Sequence, residues 1–204
     1  MEGRCTNAFR GVLTGLVFLA SSNALASTVT LDVKAYDNST SGGTGVNTLS
    51  LTSGQLVTVT ASPLDTWGAG PPYRISNADG LTGDIYAVSG DDSGASPGTK
   101  IGESFGNWSQ NGLSAPYGSL VGQIGSGSFF LIGVSETFAA GTSGLLKLFY
   151  FDSNNYDNFG QISVTVSAVP LPAAGWLMLS GLAAFGAFGR RRRVVDAGEP
   201  VAAA

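Results

Sequence analysis

The chain has 204 residues and a formal net charge of −4, with no His and a single Cys. A His-dependent catalytic triad and a His-bearing zinc site are therefore excluded, as are an intrachain disulfide and a Cys-held metal cluster. The acidic balance argues against nucleic acid as a partner, because that needs a basic face.

The N-terminus reads as an export signal. Arg4 and Arg10 supply positive charge, Gly11 to Ala20 is apolar, and Ala24-Leu25-Ala26 gives a small-x-small cleavage pattern. Residues 1–26 are expected to be removed, taking Cys5 with them and leaving Ser27 first. The apolar run is about ten residues, short of the roughly 20 that span a bilayer.

Residues 27–168 are expected to form one all-β domain. They hold Lys34, Arg74, Lys100 and Lys147 against eleven acids. Apolar residues recur with period two at Val29-Leu31-Val33, Val57-Val59-Ala61, Leu146-Leu148-Tyr150 and Ile162-Val164-Val166. Each run is bounded by Gly, Ser, Asn or Asp clusters, which mark turns. Thr48–Leu51, Asp84–Val88, Ser119–Ile124 and Phe129–Gly133 add shorter candidates. About eight strands point to a β-sandwich. The Gly-rich stretches 39–45 and 89–98 read as connections, since they lack the strand-to-helix context of a phosphate-binding loop.

The segment richest in chemistry is Asp152-Ser153-Asn154-Asn155-Tyr156-Asp157-Asn158-Phe159-Gly160, expected as a loop between strands 145–151 and 161–166. Its two carboxylates, amides and hydroxyl are the donor set of a calcium ion, which takes six to eight oxygens. The spacing is not that of an EF-hand, and Asn and Asp also serve an ordinary polar turn. Trp67, Tyr73, Trp108 and Tyr117 fall in expected loops, where rings either stack on sugars or pack inward. Asp91, Asp92 and Glu103 read as solvated turn charges rather than a glycosidase pair, so no enzyme is expected.

After this domain, Leu171 to Gly189 carries no charge, and Arg190, Arg191, Arg192 and Arg193 follow. Nineteen such residues as a helix span about 28 Å, enough for a hydrocarbon core. The arginines favour the cytoplasmic side and put the preceding domain outside.

Val169-Pro170-Leu171-Pro172-Ala173, the apolar stretch and the Arg cluster together resemble the PEP-CTERM sorting signal, in its Val-Pro-Leu-Pro-Ala variant. The resemblance implies residues 169–193 as a sorting signal with a single transmembrane helix and 194–204 as a short cytoplasmic tail. It further implies an exosortase-type membrane protease-transpeptidase as partner. Localisation would be transient at the inner membrane, then at the cell surface or extracellular matrix of a Gram-negative bacterium that makes exopolysaccharide.

A second resemblance covers about 120 residues. Thr48 to Ala61, Thr66-Trp67-Gly68, Tyr117 to Gly125 and Asp152 to Val166 are similar, in order, to the calcium-dependent galactose-binding bacterial lectins of the PA-I type. It implies a jelly-roll β-sandwich, with Asp152, Asp157 and Asn158 as calcium ligands, Asn155 as a further candidate and Trp67 contributing its carbonyl. Asp152 and Asn158 would also meet the sugar. The lectins' sugar-contacting His has no counterpart here. The expected function is a calcium-dependent carbohydrate-binding module that associates with polysaccharide. The alternative is a structural matrix protein in which calcium only rigidifies a loop.

Overall fold

A computed structural model describes residues 26–169. The expected signal peptide, the sorting motif from Pro170 onward, the transmembrane helix and the Arg cluster lie outside the described residues. Within them the chain is all β, and no helix is long and apolar enough to cross a membrane.

The strands in chain order are β1 (Ser27–Lys34), β2 (Val46–Leu51), β3 (Leu56–Ala61), β4 (Trp67–Ala69), β5 (Ile75–Ser76), β6 (Ile85–Tyr86) and β7 (Lys100–Gly102). They continue with β8 (Asn107–Gln110), β9 (Leu113–Pro116), β10 (Leu120–Ile124), β11 (Phe130–Leu131), β12 (Ser135–Ala139), β13 (Gly144–Tyr150) and β14 (Asn158–Val169). About eight were expected. The additional ones are mostly two to four residues long, too short to show a period.

β14 organises the larger sheet. One flank pairs with β1, from Gln161↔Lys34 to Ala168↔Ser27. On the other, β3 pairs with its C-terminal half and β4 with its start. Between Val164↔Ala61 and Gly160↔Trp67, residues 62–66 face only residues 161–163, so two residues are extruded as a bulge. The Asp65 carboxylate fills the gap by accepting the Ser163 N–H at 3.0 Å. β12 extends the sheet beyond β3, and β5 beyond β4.

The smaller sheet runs β11-β10-β13-β2. Between the sheets lies a core of Val33, Val57, Val59, Ile162, Val164 and Val166 against Leu120, Leu146, Leu148 and Tyr150. The expected alternation appears where one face is wet. Thr28, Thr30, Thr58 and Thr165 point outward, and hydroxyl pairs link Thr28–Ser167, Thr30–Thr165 and Thr58–Thr137 across strands at 2.9–3.0 Å. β13 departs from alternation because both faces are covered. Phe149 and Phe151 join Val121 and Ala115 in a second cluster, packed against Trp108, Leu113 and Phe129. Trp108 and Leu113 belong to the β8–β9 hairpin, so this hairpin is a cap on the smaller sheet.

Candidate functional site

β13 ends at Tyr150, and β14 begins at Asn158 rather than after Gly160 as the sequence suggested. The reason is pairing: Asn158, Phe159 and Gly160 sit in ladder register with Ala69, Gly68 and Trp67. Asn158 is therefore held by a strand, facing inward with the parity of Ile162 and Val164, and the irregular connection is only residues 151–157.

The β1–β2 loop holds this connection. Thr40 Oγ1 donates to the Asp152 carbonyl (2.9 Å) and accepts the Asp152 N–H (3.2 Å). Ser39 Oγ donates to the Asn154 carbonyl at 3.2 Å. Asn155 Nδ2 donates to the carbonyls of Tyr36 and Gly42, both at 3.2 Å. The hairpin supports the same loop from outside, since Gln110 Nε2 donates to the Thr40 carbonyl at 3.1 Å.

Four side chains, three from the connection and Asn158 at the start of β14, are placed differently. Asp152 is 3% exposed and Asn158 6%. Asn158 spends both amide protons, on the carbonyls of Ala35 (3.2 Å) and Asn154 (3.1 Å), which fixes its rotamer and leaves Oδ1 free. That Oδ1, Asn154 Oδ1 and Asp157 Oδ1 are all buried with no hydrogen-bond partner among the described residues. Each orphaned oxygen costs about 1–3 kcal/mol if left so. Burial raises the Asp152 carboxyl above the usual range; N–H groups of Ser153 and Asn154 pull it down, and the Asp157 charge pushes it up again.

The β4–β5 turn passes against this cluster. Gly70 has φ +90°, and a β-carbon there would lie 2.5 Å from Asp157 Oδ2. The main chain of Gly70 thus abuts the carboxylate. Trp67 is fully buried in β4, not in a loop as expected. Its residue pairs with both Gly160 and Ser76. Its ring meets Tyr150 edge-on at 4.7 Å, and Nε1 donates to the carbonyls of Gly118 (2.8 Å) and Asn77 (3.2 Å). Trp67 therefore positions the turn from inside the core. Tyr150 is itself buried, which drives its hydroxyl pKa well up, with the Asp152 and Asp157 charges adding and Arg74 opposing.

Of the residues read from sequence, Asp152, Asp157 and Asn158 come together. Asn155 turns toward the β1–β2 loop, and Trp67 lies in the core. Asn154 and Gly70 were missed. Asn154 was inside the oxygen-rich run, indistinguishable by composition from Asn155; nothing local marks Gly70 as a neighbour of Asp157. Among the other aromatics, Trp108 lies in β8, while Tyr117 packs edge-on to Phe105 at 5.1 Å. Tyr73, 49% exposed, sits in the turn beyond Gly70 with φ +60°.

The donor set suits a hard cation. It is all oxygen, with two carboxylates and two amides; among the described residues no group of three or more His, Cys, Asp or Glu is placed to hold a metal ion, so any cation here would rely on amide and main-chain oxygens beside the two carboxylates. Asp91 is engaged in its own turn, accepting from Val88 N–H (2.5 Å) and Ser93 Oγ (2.7 Å), and the Ser93 hydroxyl above all lowers its pKa. Asp92 accepts from Thr66 N–H and Oγ1 at 2.6 and 2.7 Å.

No family model and no curated protein matches the chain. It is similar to a solved structure described as "EclA N-terminal domain; PllA-like lectin", at 20% identity over 68% of this chain and 94% of that one, with a TM-score of 0.41. The likeness assigns neither ligand nor activity to this chain.

Proposed function

We propose that residues 27–168 are a calcium-dependent carbohydrate-binding module of jelly-roll type, carried by an exported surface or matrix protein. One observation carries the reading: three side-chain oxygens, of Asn154, Asp157 and Asn158, are buried without partners around a connection that also buries Asp152. Calcium would satisfy all three at once and neutralise both carboxylates. Asp152, Asp157 and Asn158 with Asn154 would hold the ion, and the Gly70 main chain borders it. When bound, calcium supplies coordination positions that vicinal sugar hydroxyls can fill.

The burial of Asp152 and Asn158 favours a second reading, in which the ion only locks the β1–β2 loop to β14 and the protein is structural. Scanning calorimetry of the protein with calcium or with a chelator, paired with a glycan array in both conditions, decides between them. A calcium-dependent rise in Tm with calcium-dependent glycan binding supports the module. The same rise with a blank array leaves the structural role.

Export and sorting rest on the sequence of the two termini. Mass spectrometry of the mature protein is expected to find Ser27 first and an end near Val169–Ala173, where an exosortase-type enzyme would cut.

A further inference from the structure

We infer that the sugar taken at this site is carboxylate-bearing, a uronic acid unit of an acidic polysaccharide, and that Arg74 determines this specificity. The inference rests on the carbohydrate-binding reading above and adds the class of ligand. Arg74 closes the turn that begins at Ala69. Ala69 is the ladder partner of Asn158, and the next residue, Gly70, abuts the Asp157 carboxylate. The turn that Arg74 closes therefore runs beside the oxygen cluster, and Arg74 opposes Asp152 and Asp157 in their effect on the buried Tyr150 hydroxyl.

Arg74 is also uncommitted. The domain has four cations and eleven acids, so an available carboxylate is the default. Lys100 has two, Asp84 at 2.8 Å and Glu103 at 2.9 Å, and Lys34 has Asp37 at 3.6 Å. Arg74 has no carboxylate within ion-pair distance among the described residues. Lys147 has none either, but it belongs to β13 in register with Gln123 and Asn47, on the other sheet. Of its five N–H donors, Arg74 uses one, in a 3.4 Å contact from Nη1 to the Ala69 carbonyl. Its guanidinium carbon lies over the Phe105 ring, 4.0 Å from the centroid. Phe105 is 44% exposed.

A half-buried guanidinium with a free fork is built for a planar carboxylate. A uronic acid offers hydroxyls to the cation and a carboxylate to the fork, while its ring lies beside Phe105 and Tyr73. A neutral hexose offers the first and leaves the fork unpaired. The acidic character of the rest of the domain would repel a polyanion anywhere else, so recognition is confined to this rim.

The test is titration calorimetry on the full chain in saturating calcium, with methyl galacturonoside against methyl galactoside and methyl glucuronoside against methyl glucoside. Such monosaccharides avoid the calcium gelation of acidic polymers. The uronosides should bind about tenfold or more tightly, the scale of one charged hydrogen-bonded pair. Arg74→Gln should remove that preference, and Arg74→Lys should keep part of it, having the charge without the fork. Calcium affinity in Arg74→Gln should hold or rise, since a positive charge beside the ion is gone; this also reports that the variant is folded. Equal affinity for acid and neutral sugar, or a preference that survives Arg74→Gln, overturns the inference. If none of the four binds while calcium still raises Tm, the carbohydrate reading itself falls, and the inference with it.

Discussion

Gly70 brings its α-carbon so close to Asp157 that a single added methyl would sit 2.5 Å from Oδ2. Two residues 87 positions apart in the chain meet here because β4 pairs with the first three residues of β14. Gly70→Ala is therefore expected to do two things. The φ of +90° becomes strained for an L side chain, at about 1–2 kcal/mol, and the carboxylate must move. Thermal unfolding with and without calcium separates these effects: Tm should drop in both conditions, and the calcium-induced increment should shrink as well. An undiminished increment would take Asp157 out of the proposed calcium site.

Asp152 contributes a distinct slope to the pH dependence of the calcium-free domain. Burial keeps its folded-state pKa above the ordinary 3.8. In the unfolded chain it ionises near 3.8, so above that pH the folded state holds a proton the unfolded state has lost. Stability from this group is present below 3.8 and declines as pH rises through the raised value. With chelator, calorimetry should show that decline, and Asp152→Asn should flatten it. With calcium the sign reverses, because the ion binds the ionised carboxylate and links binding to proton release. Asp152→Ala should also abolish calcium stabilisation, which arises by mass action. Identical pH slopes for wild type and Asp152→Asn in chelator would contradict the assignment.

Trp67 is expected to act on the site only through the fold. Trp67→Phe keeps most of the core volume but strands the Gly118 carbonyl, which Nε1 contacts at 2.8 Å. A loss of about 1–3 kcal/mol is expected from denaturant unfolding. Calcium affinity, measured at a temperature where the variant is fully folded, should change far less than in Asp152→Ala. A comparable fall in both would contradict a role for Trp67 confined to the fold.

The wet sheet was legible because its outward positions are Thr and Ser and its inward ones Val, Leu and Ile, a contrast of period two at β1, β3 and β14. The smaller sheet was harder to read. β13 is covered on both faces, by the core and by the β8–β9 hairpin, and its Phe149, with Phe151 just after it, blurs the alternation. β12 reads Ser-Glu-Thr-Phe-Ala, with one inward aromatic, and was missed; β4 and β5 hold too few residues for any period. In the site, carboxylates and amides declared themselves by density. Which of them face inward depended on partners far away in sequence: Tyr36 and Gly42 for Asn155, Ala35 for Asn158. No local pattern encodes those contacts.

Asn155 and Asn158 provide the sharpest comparison, since they are amides three residues apart, one on the connection and one at the start of β14. Asn155 Nδ2 is spent on the Tyr36 and Gly42 carbonyls, and a β-carbon at Gly42 would be 2.6 Å from its Oδ1. Its role is to staple one loop to another. Asn158 donates to Ala35 and Asn154 and keeps Oδ1 buried and unpaired. Asn155→Ala should lower Tm by a similar amount with and without calcium, each lost hydrogen bond counting for about 0.5–1.5 kcal/mol. Asn158→Ala should also lower the calcium-free Tm and, in addition, remove much of the calcium increment. Asn158→Asp should not restore the full increment, because its second oxygen would face the Ala35 and Asn154 carbonyls where Nδ2 donates. The measurement is a pair of melting curves per variant, and the readout is the difference within each pair. A calcium increment lost in Asn155→Ala and kept in Asn158→Ala would exchange their roles and place the ion on the β1–β2 loop side.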